Sequence, residues 1–363
     1  MPVSEAVGGW TKLRSELAEM SPAYFGMVMA TGIISVAANF LAMPWLARAL
    51  LALNILLYVL LWLLTLARLW FFPARFFLDM IDHLRGPGFF TTVAASGVLG
   101  SQCLLIADSL HWGMFLWGVA LALWLALTYA IFAAFIVKAD KPTLDKGING
   151  GWLLAVVATQ SLAMLGTLLA ARMEPPYRLE MNFLALSMWL WGGMLYIWMM
   201  SLIFYRYTFF RFSPADLSPP YWINMGAMAI STLAGSQLIL NAPDAPFLLS
   251  LLPFLKGFTV FYWATGTWWI PMLVVLAIWR HGIMRFPLRY DPLYWGAVFP
   301  LGMYAAGTHH LIKALALPFL GFLPLLFLYI ALASWAVAFA GFLIDARRRV
   351  SAIAATGARQ SPR

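Results

Sequence analysis

PAYFGMVMATG at residues 22–32 is the first of five similar segments that decide the fold of this chain. The others are PGFFTTVAASG (87–97), GWLLAVVATQS (151–161), PYWINMGAMAI (220–230) and PLYWGAVFPLG (292–302). Four of the five begin with proline, which suits the first turn of a helix because its missing N–H has no partner there anyway. Their heads lie 64 to 72 residues apart. This regular spacing predicts one helical hairpin repeated five times. The alternative is that prolines often begin helices without any repeat.

The composition is typical of a helical membrane protein. Of 363 residues, 63% are hydrophobic and 10% are charged, against about 45–50% and about 25% in soluble domains. These values exclude a soluble enzyme of ordinary composition, a disordered chain and a fibrous repeat. The apolar residues form long runs rather than alternating, which disfavours a transmembrane barrel. Since one span needs about 20 apolar residues, the chain has room for roughly ten spans and no sizeable soluble domain.

The sequence predicts an all-α membrane protein with ten transmembrane helices. The spans are expected near residues 21–41, 45–71, 88–107, 111–138, 149–171, 181–205, 220–240, 253–279, 291–312 and 317–344. Residues 1–20 form a polar N-terminal arm, residues 21–345 the transmembrane domain and residues 346–363 a basic tail. A single cysteine, Cys103, forms no internal disulfide and builds no metal site alone.

The basic residues predict the orientation in the membrane. Of the 23 Lys and Arg residues, 18 fall on the side that holds both termini and five on the other side. The positive-inside rule therefore predicts a multi-pass protein of the cell membrane with both termini in the cytoplasm, which requires an even number of spans. The net charge of +9 reflects this asymmetry and does not predict nucleic-acid binding.

The odd and even spans differ in chemistry. Residues 21–40 contain no Leu and are rich in small residues, whereas Leu50–Leu69 contains eleven Leu. Small residues allow helices to approach closely or leave room beside an axis, and long aliphatic side chains suit lipid. We therefore expect five hairpins with pseudo-fivefold symmetry, in which the odd helices are inside and line a pore. The alternative is ordinary close packing of small residues without a pore.

The predicted cytoplasmic mouth of this ring favours anions. All five odd helices begin on that side, so their positive dipole ends would surround the mouth. The predicted anion mouth consists of Arg85, His83, Lys146 and Arg289, which lie close before three of the heads. No acidic residue lies in the middle of a span. Proton- and sodium-coupled carriers usually need an intramembrane carboxylate, and cation channels use acidic rings, so an anion pathway is favoured.

The ninth span carries a candidate gate. Phe299 directly precedes Pro300, and a proline inside a helix removes a hydrogen bond and kinks the helix. A kink beside a large aromatic residue is one way to hold a ring across a narrow passage. We expect a gate at Phe299 and Pro300, with a pore lined by the residues aligned with Phe299 in the other repeats and by one glycine: Met29, Ala94, Ala158, Ala227 and Gly302. The alternative is a core phenylalanine beside a packing kink.

Three motifs carry a resemblance to a known family. YFGMVMATGI (24–33), HLRGPGFFT (83–91) and WGAVFPLGMYA (295–305) resemble the tellurite-resistance/dicarboxylate transporter family over roughly residues 20–345. That family contains TehA-like bacterial proteins, yeast malate and sulfite carriers, and the plant slow anion channels. The resemblance implies five hairpins with pseudo-fivefold symmetry around a pore, often a homotrimer, and a gate phenylalanine at the position of Phe299. His309 and His310 are not part of the matched motif.

Three functions remain open at this stage. The first is an anion channel or uniporter for small anions or C4-dicarboxylates, and the second is a proton-coupled carrier of C4-dicarboxylate, sulfite or tellurite type. The third, a membrane-embedded enzyme, is disfavoured because His309 and His310 point about 100° apart on a helix and no buried carboxylate accompanies them. No catalytic residue, metal site or cofactor is predicted. The expected partners are small inorganic or carboxylate anions and the lipid bilayer, with no nucleic acid.

Overall fold

The computed structural model describes residues 12–288 and 290–358, with side chains through residue 351. Every regular element in this part of the chain is helical. Ten long helices follow one another: α1 (Gly26–Phe40), α2 (Pro44–Phe71), α3 (Phe90–Leu105), α4 (Leu110–Val137), α5 (Leu154–Ala170), α6 (Tyr177–Phe209), α7 (Ile223–Asn241), α8 (Leu252–Ala277), α9 (Trp295–Leu315) and α10 (Phe322–Ala358). Shorter helices lie between them at Pro73–Met80, Leu144–Gly147 and Pro246–Ser250, and a π-helical turn at Ile278–Ile283 follows α8. The predicted all-α membrane fold is confirmed.

Nine of the described helices are long and apolar enough to cross a membrane. The helix outside this group is α9, whose hydropathy is lowered by His309, His310 and its many small and aromatic residues. Its neighbours cover α9 on several sides, so it needs no apolar surface facing lipid. A tenth span at α9 stays a prediction, which the packing of this helix against α1, α7 and α10 supports.

The odd-numbered helices form a closed ring. Along this ring, α1 packs on α3, α3 on α5, α5 on α7, α7 on α9, and α9 packs back on α1. In the spans built around α1, α3, α5 and α7, between 83% and 100% of the residues are buried, against 22% to 50% in the even-numbered helices. The small-residue helices are therefore inside and the leucine-rich helices outside, as their composition predicts.

Each even-numbered helix packs on the odd helix before it and on the odd helix after it. Thus α2 lies on α1 and α3, and α10 closes the outer layer by lying on α9 and α1.

Glycines allow the inner helices to pack closely on one another. A Cβ added at these glycines would lie 2.6 to 2.9 Å from an atom of the neighbouring inner helix: Gly32, Gly97, Gly226, Gly302 and Gly307.

Each inner helix begins with a 3-10 turn. The turns are Pro22–Phe25, Gly86–Phe89, Gly150–Leu153, Pro219–Trp222 and Pro292–Tyr294. They contact one another in the same cyclic order as the helices, so all five helix N-termini lie at one end of the bundle, here named the mouth end. Three turns are capped by a side chain that accepts a hydrogen bond from the N–H two residues later: Ser21, Asn149 and Asp291.

Both ends of the described chain lie at the mouth end. Arg349 on α10 forms an ion pair with Glu16 of the N-terminal arm and a second one with Asp345 at 2.7 Å. The predicted boundary between residues 345 and 346 falls inside α10, which continues to Ala358. The division into arm, membrane domain and tail, and the side of the membrane that the mouth end faces, stay predictions.

Candidate functional site

A cavity of about 670 Å³ opens at the mouth end. Every one of the five repeats contributes to its wall, so the cavity lies on the axis of the inner ring. The contributions come from the 3-10 turns and the residues beside them: Ser21, Ala23, Arg85, Gly88, Asn149, Gly151, Ser218, Pro220, Pro292 and Leu293.

A second, much narrower chamber of about 20 Å³ adjoins the mouth cavity. The two share several wall residues, among them Ala23, Pro220 and Leu293. Met29 and Phe299 are the lining residues that lie farthest along their helices, and each is only 1% exposed. The open space at the mouth end therefore narrows towards the Phe299 ring.

Pro300 shapes the helix next to this ring. It lies inside α9, where it removes the hydrogen bond that the carbonyl of Gly296 would accept in a regular helix. Gly296 lines the narrow chamber. The proline ring packs against α7, where a Cβ added to Gly226 would lie 2.7 Å from it. The part of α9 at Pro300 thus packs directly on a glycine of its neighbour.

The structure brings only some of the predicted pore residues to the open space. Met29 and Phe299 line the narrow chamber, whereas Ala94, Ala158 and Ala227 are completely buried and line neither cavity. At Gly302 an added Cβ would lie 2.9 Å from Ile34 of α1, so that glycine faces a helix–helix contact. A pore-lining role for these four residues stays a prediction.

Two of the predicted mouth cations line the mouth cavity. Arg85 forms an ion pair with Asp79 at 3.0 Å and donates a hydrogen bond to the carbonyl of Glu19. Lys146 is exposed in the cavity wall. No carboxylate of the described residues lies within 4 Å of its ammonium group. Lys146 is therefore the mouth cation with the least compensated charge among the described residues.

His83, the third predicted mouth residue, has a different environment. The His83 ring stacks on Phe135 with 4.2 Å between ring centroids, and its carbonyl accepts a hydrogen bond from Trp152. Burial, with a smaller effect of the charge on Lys138, lowers the pKa of His83, so the ring is neutral near pH 7. His83 is not among the residues that line the mouth cavity. Arg289 lies outside the described residues.

A third cation, which the sequence pattern did not single out, also lines the mouth cavity. Arg206 at the end of α6 is 7% exposed. It forms an ion pair with Asp216 at 3.0 Å and donates to the Tyr221 hydroxyl at 2.6 Å and to the Asp145 carbonyl at 2.7 Å. Arg206 thus ties the end of an outer helix to the head of the next inner helix.

Four carboxylates share the mouth cavity with these cations: Glu19, Asp145, Asp216 and Asp291. Burial works against the charge on Asp216, but hydrogen bonds from Ser213 and the nearby Arg206 outweigh it and lower the Asp216 pKa. The Asp291 carboxylate accepts the N–H of Leu293 at 2.8 Å. The described part of the mouth therefore has mixed charge, rather than the basic surface that counting Lys and Arg predicts.

The opposite end of α9 carries the two adjacent histidines. Phe40 lies against both, with ring centroids 5.7 Å from His309 and 4.3 Å from His310. Among the described residues, no group of three His, Cys, Asp or Glu side chains has the placement to hold a metal ion.

A closed inner ring of helices, an outer lipid-facing layer and an axial cavity define a membrane channel or transporter. The chain belongs to the SLAC1 family, described as voltage-dependent anion channel, whose model matches residues 19–343. This match confirms the resemblance found in the three motifs.

Individual relatives point to transport as well. The uncharacterized transporter MJ0762 of Methanocaldococcus jannaschii is 27% identical over 83% of this chain and 87% of its own length. The sulfite efflux pump SSU1 of Arthroderma benhamiae is 22% identical over 89% of this chain and 90% of its own length. The uncharacterized membrane protein Rv1735c of Mycobacterium tuberculosis is 42% identical over 41% of this chain and 75% of its own length. The chain is thus a multi-pass membrane protein of a family of channels and transporters.

Proposed function

We propose that this protein is an anion channel or uniporter whose pore follows the axis of the inner ring and is closed at Phe299. The observation that carries this proposal is the cavity of about 670 Å³ that narrows to a chamber lined by Phe299. A ring that ends the cavity is placed to block passage, and the neighbouring Pro300 interrupts the backbone hydrogen bonds of the helix that carries it.

The charge distribution along the inner helices supports an anion as the substrate. Inner helices α1, α3, α5 and α7 contain no Asp, Glu, Lys or Arg, and α9 contains only Lys313, close to its end. The positive ends of five helix dipoles converge at the mouth end, each worth about 0.3–1 kcal/mol to a nearby anion. A pore of this kind selects weakly, by size and by the cost of dehydration. Small inorganic anions and C4-dicarboxylates therefore fall within the proposed range.

Lys146 is the residue that we propose as the first contact for an entering anion. It lines the mouth cavity and is exposed. Arg85 contributes less because Asp79 lies 3.0 Å from it. Mixed charge at the mouth also means that ionic strength should affect entry less than a purely basic surface would.

The second candidate is a proton-coupled carrier for sulfite or a C4-dicarboxylate. It is favoured by the similarity to the sulfite efflux pump SSU1 of Arthroderma benhamiae, which extends over 89% of this chain. Because the inner helices carry no carboxylate in their middle, a histidine would have to carry the proton. His309 and His310 are the candidates on the inner ring.

Proteoliposomes distinguish the two candidates. The purified protein is reconstituted, the membrane potential is clamped with valinomycin and potassium, and efflux of chloride, nitrate, sulfite and malate is measured with and without a pH gradient. We expect flux that follows the anion's electrochemical gradient at either pH setting, with protein-free liposomes as the control. Flux that requires the proton gradient would overturn the channel proposal in favour of the carrier.

We further propose a homotrimer in the cell membrane with the mouth end in the cytoplasm. Both described ends of the chain lie at the mouth end, and most Lys and Arg residues fall on the same side. Reporter fusions after residue 175 should behave as external and fusions at either terminus as cytoplasmic. A cytoplasmic signal after residue 175 would contradict this orientation.

A further inference from the structure

Three arginines are buried at the mouth end of outer helices: Arg68 on α2, Arg206 on α6 and Arg280 in the π-helical turn after α8. The first two have acidic partners, since Arg68 pairs with Asp79 and Arg206 with Asp216. Among the described residues, no carboxylate lies within 4 Å of the Arg280 guanidinium. Its Nε is buried and has no hydrogen-bond partner. Among the described residues, Arg280 is therefore the one of these three buried arginines that has no acidic partner.

Arg280 is only 8% exposed. Its guanidinium lies 4.4 Å from the centre of the Phe286 ring, which covers one side of it. It lines a cavity of about 50 Å³ together with Tyr221, Trp222 and Tyr294. Burying a cation without an acceptor is costly. An anionic group in this cavity would supply the missing acceptor.

This small cavity adjoins a large apolar groove of about 610 Å³ between α9 and α10. The cavity and the groove share Trp222, Tyr294 and Ala297. Within the groove, Val337 is 75% exposed and Ile330 is 40% exposed. Exposed aliphatic side chains on an outer helix face lipid in a membrane protein. The groove therefore opens to the bilayer next to the small cavity that the Arg280 guanidinium lines.

We propose that this composite site binds one anionic glycerophospholipid, with the phosphate on Arg280 and an acyl chain in the groove. Phosphate oxygens match the planar donor fork of a guanidinium, and basic pockets between helices near the membrane surface take anionic head groups. The acyl chain would contact Val298 and Leu301 of α9, which line the groove. The lipid would thus pack against the helix that carries Phe299 and Pro300.

Lipid binding is measured on the full-length protein in detergent. Native mass spectrometry counts bound lipid, and thermal unfolding is followed during titration with dioleoyl phosphatidylglycerol, dioleoyl phosphatidylcholine or sodium phosphate. We expect phosphatidylglycerol to bind and to raise the unfolding temperature, while phosphatidylcholine and phosphate at equal concentration do not. Arg280→Gln should weaken phosphatidylglycerol binding about tenfold or more, as expected for losing hydrogen bonds to a charged group, and Arg280→Lys should retain part of it.

Two matched controls keep the experiment decisive. Arg285→Gln removes an exposed charge five residues away and should leave lipid binding unchanged. Ala333→Trp places a ring in the groove and should abolish binding, whereas Ala336→Trp, on the exposed side of the same helix outside the groove, should not. Equal phosphatidylglycerol affinity in wild type and Arg280→Gln would overturn the site. Equal stabilisation by free phosphate and by phosphatidylglycerol would overturn the acyl-chain half of the proposal.

Discussion

Replacing Phe299 by alanine should open the pore at a limited cost in stability. The Phe299 side chain is 1% exposed, and truncating a well-packed core phenylalanine costs about 3–5 kcal/mol, part of which comes from the empty cavity left behind. Here the vacated space joins a chamber that adjoins a mouth cavity of about 670 Å³, so water fills it. The expected loss is then nearer the transfer free energy of the side chain, about 1.5–3 kcal/mol.

The assay compares three variants in planar bilayers and in thermal unfolding. Phe299→Ala should raise the anion conductance at least about tenfold, which corresponds to lowering the barrier by about 1.4 kcal/mol, and Phe299→Leu should give an intermediate value. Phe90→Ala is the matched control, because Phe90 is equally buried on α3 but lines neither cavity. It should lower stability without raising the current. An unfolding temperature that falls for Phe299→Ala while conductance stays at the wild-type level would refute the gate.

Three further predictions concern the mouth, the contact of Pro300 with α7, and the half-buried His83. Lys146→Glu should reduce the anion current at low salt by roughly fourfold, since reversing a charge at about 10 Å in water changes an anion's energy by about 0.8 kcal/mol. Lys141→Glu, which changes a residue outside the cavity wall, should leave the current unchanged. Equal currents in wild type and Lys146→Glu would count against a role of Lys146. Gly226→Ala should shift α9, alter gating and lower stability, because the added Cβ would lie 2.7 Å from the Pro300 ring. A Cβ added at Gly257 meets nothing within 4 Å, so Gly257→Ala should be neutral or stabilising. Similar behaviour of the two variants would show that the contact between Gly226 and Pro300 is unimportant. Burial lowers the pKa of His83, so its contribution to stability is complete above its ordinary pKa of about 6.5 and is lost as the pH falls through the lowered value. The unfolding temperature between pH 7 and pH 5 should therefore depend less on pH in His83→Phe than in wild type. An identical pH dependence of the two unfolding temperatures would argue against this role of His83.

The repeated architecture was predictable because it depends on residue types that are visible in the sequence of each repeat. Proline or glycine heads mark the starts of the inner helices, and small residues against leucine separate inside from outside. Phe299 could be singled out because one bulky residue stands where three other repeats have alanine. Each of these signals is found within one segment or by aligning the five segments, so no tertiary information was needed.

The charge of the mouth was not predictable in the same way. Counting Lys and Arg identified Arg85 and Lys146, but Glu19 and Asp216, which lie shortly before the first and fourth heads, line the same cavity. His83 follows the basic pattern in sequence, yet its ring stacks on Phe135 and lies near Trp152. Which side chains meet at the mouth depends on which loops come together when five repeats close into a ring. The spacing of residues along the chain does not encode these contacts.

The central claim is that anions pass between the mouth cavity and Phe299, and a blocking experiment at Ala23 tests it most directly. Ala23 lines both the mouth cavity and the narrow chamber. Ala23→Cys is introduced into a Phe299→Ala, Cys103→Ser background, and a negatively charged methanethiosulfonate reagent is applied from the mouth side while the current is recorded. Modification should abolish most of the anion current, whereas the background without Ala23→Cys should be insensitive to the reagent. Full current through a channel whose residue 23 is shown by mass spectrometry to be modified would contradict an axial path.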